Sequence, residues 1–157
     1  MSSIGEIVDA VKSALAGVNG AGGGYTYTLT AAGQVQVASI PSEGQVFHLP
    51  SVYLYDWTVE TTPGTPLPVV TYRATIRVMG FVAATSNTEE ALLKAAWNLA
   101  ADIHRAVLAN RSPTLAGGAV VHDIVPQSDA TPGGQVTGYA GLGISNTAIV
   151  INYRGPL

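Results

Sequence analysis

Three histidines, His48, His104 and His122, carry the side chains best suited to bind a metal or move protons near neutral pH. Their spacing argues against both roles. Each falls in a different predicted element, and no two stand at i,i+2 or i,i+4, the separations that bring two imidazoles to one metal. His122 and Asp123 are adjacent, and form a site only with ligands from elsewhere. The chain has no cysteine, which excludes a thiol nucleophile, Cys-ligated zinc and a disulfide framework. Gly143-Ile144-Ser145-Asn146-Thr147 breaks the G-x-S-x-G serine elbow at its last position. No Gly-Lys-Ser/Thr occurs, so there is no P-loop, and Gly20-Ala21-Gly22-Gly23-Gly24 follows a helix signal where a dinucleotide loop would follow a strand. Carboxylates cluster only at Glu89/Glu90, where the start of a helix accounts for them. The sequence predicts no catalytic residue, no metal ligand and no cofactor.

Residues suited to contact remain. Arg73 and Arg77, two of only 7 basic residues, share one face of a predicted strand. They either pair with Asp56 or Glu60 across a hairpin, or meet a neighbouring subunit or a polar ring lumen. Trp97 and the row Tyr53/Tyr55/Trp57 are core residues or interface anchors. Trp97 sits in the strongest helix signal of the chain, Asn87 to about Ala109. Asn87 and Glu90 are spaced as a capping pair, and Glu89/Glu90 suit the positive end of the helix dipole. At 100° per residue, Leu92, Ala96, Leu99, Ile103 and Val107 form one apolar stripe, and Leu93, Trp97, His104 and Leu108 a second beside it. Lys94, Asn98, Asp102 and Arg105 form a narrow polar arc. A helix apolar on two flanks has more to bury than one sheet face, which points to an assembly subunit.

The bulk composition agrees with that expectation. With 157 residues the chain suits one domain, residues 1–157, and can bury a sizeable core. It is 47% hydrophobic and only 11% charged, with 18 glycines and a net charge of -3. Such a surface is bland, engaged in subunit contacts, or both. No basic patch suggests nucleic-acid binding. The N-terminal MSSIGEIVDAVKS lacks the apolar run of a signal peptide, and no apolar run approaches the ~20 residues that span a bilayer. A cytoplasm-like setting is expected, without membrane contact.

In chain order, Ser3–Val18 reads as a helix with a Ser3/Glu6 capping box and Ile4, Ile7, Val8, Val11, Leu15 and Val18 on one face. Short strands follow at Tyr25–Thr30 and Gln34–Ala38. Val46–Glu60 reads as a strand interrupted at Pro50 by a bulge or an edge, with Tyr53, Tyr55, Trp57 and Val59 on one face beyond it. Thr61–Pro68 carries Pro63, Pro66 and Pro68 and makes the long tip of a hairpin. Val69–Val82 alternates Tyr72, Ala74, Ile76 and Val78 with Arg73, Thr75, Arg77 and Met79, and is the clearest strand. After the long helix and a turn at Arg111–Thr114, strands are predicted at Ala119–Val125, Val136–Ile144 and Thr147–Tyr153, with a loop at Ala130–Gly134. The order predicts an α+β fold: a mostly antiparallel sheet with two helices on one face and an extended β-hairpin.

Several stretches together carry a resemblance. They are the capped helix SSIGEIVDAVKSALAGV, the proline-led strand LPSVYLYDW, the proline-rich tip, the strand YRATIRVMGF, the run from Glu89 to Ile103 and the closing INYR. This layout resembles the tail terminator, or tail-completion, proteins of long-tailed bacteriophages, over nearly the whole chain in element order. The resemblance implies a homo-oligomeric ring, a hexamer, on the last ring of the tail tube at the head-proximal end of the virion tail. Its partners would be the tail tube protein, the neck or connector protein and, in sheathed tails, the last sheath ring. DNA would only pass through the lumen, without sequence-specific binding, and the ring would assemble in the host cytoplasm. The long helix and the hairpin tip are the expected contacts. Within structural proteins the alternative is a tail-tube subunit or a head–tail joining protein of the neck. From another class, the alternative is a small-molecule-binding or enzymatic α+β domain.

Overall fold

The computed structural model describes residues 3–41, 49–61, 69–110, 119–131 and 141–156, with only the backbone at 69, 122, 123, 125–131 and 156. Helix α1 is Ile4–Ala16, one residue inside its predicted start and two short of its predicted end. Its cap is the predicted one. The Ser3 hydroxyl accepts from the Glu6 amide at 3.2 Å, and the Glu6 carboxylate accepts from the Ser3 amide at 2.8 Å. Two otherwise orphaned amides are thereby satisfied. Ile7, Val11, Leu15 and Val18 are fully buried, at about 1.5–3 kcal/mol per large apolar side chain.

The long helix, α2, is Glu89–Ala109. Its N-cap is Thr88 rather than Asn87: the Thr88 hydroxyl accepts from the Ala91 amide at 3.3 Å. Glu90 consequently does not close a capping box, and instead accepts from Lys94 Nζ at 2.6 Å, one turn on. The first predicted stripe, Leu92, Ala96, Leu99, Ile103 and Val107, is buried throughout. One member of the predicted polar arc is misplaced. Asp102 is only 1% exposed. Its carboxylate accepts from the amides of Thr26 and Tyr27 at 2.8–3.0 Å, so the helix holds the chain that follows α1. Here lies the reason Tyr25–Thr30 is not a strand: two of its donors are bonded to a side chain, and Leu29 N–H donates to Val18.

The strands are β1 (Val35–Val37), β2 (Ser51–Thr61), β3 (Val69–Val82), β4 (Val120–Thr131) and β5 (Leu142–Pro156), in the sheet order β1-β2-β3-β5-β4. Only β1–β2 is parallel; the other neighbours are antiparallel. The α+β class and the β2–β3 hairpin are as predicted, and β3 has its predicted limits. Ala74, Ile76 and Val78 are fully buried, whereas Arg73 and Arg77 are exposed. Buried side chains of both helices and of all five strands meet in one cluster. A second, smaller cluster contains Tyr53, Phe81 and Ile144.

Further strand predictions are corrected. The break predicted between Ile144 and Thr147 is absent: β5 runs unbroken from Leu142, pairing with β3 from Val82↔Gly143 to Val69↔Pro156, while residues 136–140 of the predicted Val136–Ile144 strand lie outside the described residues. Two glycines on neighbouring strands lie where α2 comes close. A Cβ on Gly143 would stand 2.5 Å from the Leu92 carbonyl oxygen, and one on Gly80 would stand 2.7 Å from Leu99 Cδ2. β4 likewise runs beyond Val125 to Thr131, through the start of the predicted loop at Ala130. β2 begins at Ser51, directly after the interruption predicted at Pro50, and carries a further irregularity, not predicted, between Leu54 and Asp56. One extra residue there exchanges the faces. Trp57 and Val59 therefore join the face of Val52 and Leu54, opposite Ile76 and Ala74, and Tyr53/Tyr55/Trp57 is not a row.

Candidate subunit interface

Helix α2 spends its first stripe on the core, and the second lies largely outside it. Leu93, Trp97, His104 and Leu108 are separated by 4, 7 and 4 residues, which keeps them within one narrow arc. Leu93 and His104 are half-buried, Trp97 is 51% exposed and Leu108 is 36% exposed. Tryptophans of this kind are enriched at the centres of interfaces.

The β2–β3–β5 sheet presents a polar surface next to this core. Asp56, Glu60, Arg73 and Arg154 are exposed on one side of it, together with Arg77. Arg77 Nε lies 3.9 Å from Asp56 Oδ2, with both side chains 53% exposed, a pair worth at most about 1 kcal/mol. Arg73 faces Glu60 in register but donates to Asn152 Oδ1 at 3.3 Å. The hairpin pairing expected for these arginines is therefore met for Arg77–Asp56 alone. These residues lie on the sheet, apart from the four on α2. Pro63, Pro66 and Pro68 lie outside the described residues, as does His48. Among the described residues no group of three or more His, Cys, Asp or Glu side chains could hold a metal ion. No helix among them is long and apolar enough to cross a membrane.

The chain matches no known family model and no curated protein. Its own surface is thus what bears on function. Two features there escaped the sequence reading. One is Asp102, whose separation from Ala95, Leu99 and Ala106 by seven, three and four residues marks it as lying on the packed face. Arg105 completes that clasp: its guanidinium donates to the Gly24 carbonyl and lies 5.8 Å from the centre of the Tyr25 ring. The other is the pair Trp57 and Val59, 40% and 41% exposed, although they face fully buried Ile76 and Ala74. No signal in the sequence located the bulge that turns them.

Proposed function

We propose that this chain is a structural subunit of a phage tail, forming a ring that caps the head-proximal end of the tail tube. The ring would end tube polymerisation and present the docking surface for the neck. The observation that carries the reading is the second apolar stripe of α2, which the subunit leaves exposed at Trp97 and Leu108. An exposed apolar stripe on a long, rigid helix suits assembly. The element order that resembles tail terminators supplies the kind of assembly. The mechanism is geometric: tube subunits add through a repeated surface, and a cap that offers the lower contact without the upper one stops growth. The low net charge of -3 suits a channel through which DNA passes without sticking.

The test is deletion of the gene followed by electron microscopy of the tails. Tails of uncontrolled length that fail to join heads are expected, with length control restored when the purified protein is added to uncapped tubes. Tails of normal length that fail only at head joining would overturn the terminator role and assign the subunit to the neck.

A further inference from the structure

We propose that the edge of β2 from Asp56 to Thr61, which no described strand covers, accepts an extended strand of a partner protein, one in which apolar and basic residues alternate. β1 covers β2 only from Val52 to Leu54. There the Val52 amide donates to Gln34 and the Leu54 carbonyl accepts from Ala38, so the even-numbered residues turn their backbone groups outward, toward β1. The extra residue at the bulge shifts this alternation by one. Beyond it Trp57, Val59 and Thr61 stand opposite Ile76, Ala74 and Tyr72, as Val52 and Leu54 stand opposite Gly80 and Val78. Their N–H and C=O groups accordingly point to the open edge, where no described strand meets them.

Edge strands in sheets that remain unpaired usually carry a proline, a lysine or a bulge along the open length. The opposite edge has two such devices, Pro126 and the register shift between Val121 and Asp123 in β4. On β2 the bulge between Leu54 and Asp56 stands at the start of the open length, and the six residues beyond it, DWTVET, hold no proline, lysine or further register shift. Instead they offer exposed Trp57 and Val59 on one side, and exposed Asp56, Thr58 and Glu60 on the other.

Charge decides the occupant. The same edge of a second copy would bring Asp56 and Glu60 against acidic groups of their own kind, and like charges on paired strands repel. The β4 edge of a second copy would meet it with a proline. A strand with basic residues at alternate positions meets neither obstacle. Asp56 is held only loosely by Arg77 at 3.9 Å, and Glu60 makes no ion pair among the described residues. The chain itself displays matching chemistry on the other side of β2, where Arg77 stands opposite Asp56 and Arg73 opposite Glu60, with Ile76 and Ala74 between them. Strand addition of this kind draws affinity from the main chain and selectivity from alternate side chains. The inference goes beyond the ring proposal and does not depend on it, since the edge stands apart from the α2 stripe.

The probe is a capped synthetic peptide with the sequence of residues 71–78 (TYRATIRV), tested on the full chain against the charge-reversed TYEATIEV. Saturable binding of the first peptide is expected, with slowed amide exchange at Trp57 and Val59 and weakening by salt. Its preference over the second should be about tenfold, the sum of two cross-strand charge pairs. Val59→Pro, which removes an outward donor and leaves the β3 ladder intact, should abolish binding. Glu60→Lys, a surface change, should erase or invert the preference, and it decides the matter if the proline variant unfolds. No slowed exchange at millimolar peptide, equal binding of both peptides, or an unchanged preference in Glu60→Lys would overturn the proposal. Self-association of the chain that Val59→Pro abolishes would give the edge to a second copy, and would overturn it equally.

Discussion

Asp102 is the residue on which the joint between the two helical segments depends. It is buried, and its oxygens are the acceptors for the Thr26 and Tyr27 amides. Removing a buried partner leaves its donors unsatisfied, at about 1–3 kcal/mol in all. Asp102→Ala should therefore lower the unfolding free energy by roughly that amount in urea melts, and Asp102→Asn by less, since one acceptor oxygen remains. A loss within error for the alanine variant would show that the clasp is dispensable. Tyr27 joins the same region. Its hydroxyl donates to the Ala95 carbonyl at 3.3 Å, and burial, then the neighbouring Asp102 charge, push its pKa above the usual 10.0. A group whose folded-state pKa is raised contributes stability that is complete below its unfolded value and is lost as pH rises through the folded one. Stability should thus fall above about pH 10, and Tyr27→Phe should remove part of that slope while Tyr153, shifted in the same direction, retains its share.

At the scale of elements, glycine sets how closely α2 approaches the sheet. The neighbour of Gly143 is the Leu92 backbone, 2.5 Å from where a Cβ would be, so the helix itself has to move. Gly143→Ala should cost about 1–3 kcal/mol by overpacking, measured as a drop in melting temperature. Gly80→Ala should cost less where Leu99 and Ser145, whose side-chain tips are the obstruction, can rotate away. The elements were unevenly legible in the sequence. Periodicity located α1, α2 and β3, because their buried residues repeat at 3.6 or 2 and their caps are local. It failed at β5, where polar Ser145 and Asn146 interrupt the apolar run although the strand pairs with β3 straight through them. It failed again at β2, since one inserted residue reverses every later side chain without altering composition. Tyr25–Thr30 looked like a strand for a third reason: its alternation is real, but its amide partners lie on α2, more than seventy residues away in the chain. The α2 stripe was legible as a surplus of apolar positions; the β2 edge was not.

For the whole molecule, a ring requires each subunit to offer two different surfaces, one to each neighbour. The α2 stripe is one of them in the reading proposed here. Trp97 and Leu108 are already exposed in the subunit, at 51% and 36%, so charged replacements there should change its own stability by no more than about 0.5 kcal/mol. Trp97→Glu/Leu108→Glu should accordingly keep the wild-type melting temperature and circular dichroism while remaining monomeric by mass photometry. Mixing experiments sharpen this. A variant subunit keeps its second surface intact, so it still joins one neighbour but cannot pass the contact on. Closure fails wherever such a subunit enters, and a minor fraction of variant should deplete closed rings out of proportion to its abundance. In a two-fold symmetric dimer the same patch serves both partners, and the loss would simply follow the fraction of variant chains. Closed rings that persist unchanged with the double variant would remove α2 from the interface, and with it the main support for the capping role.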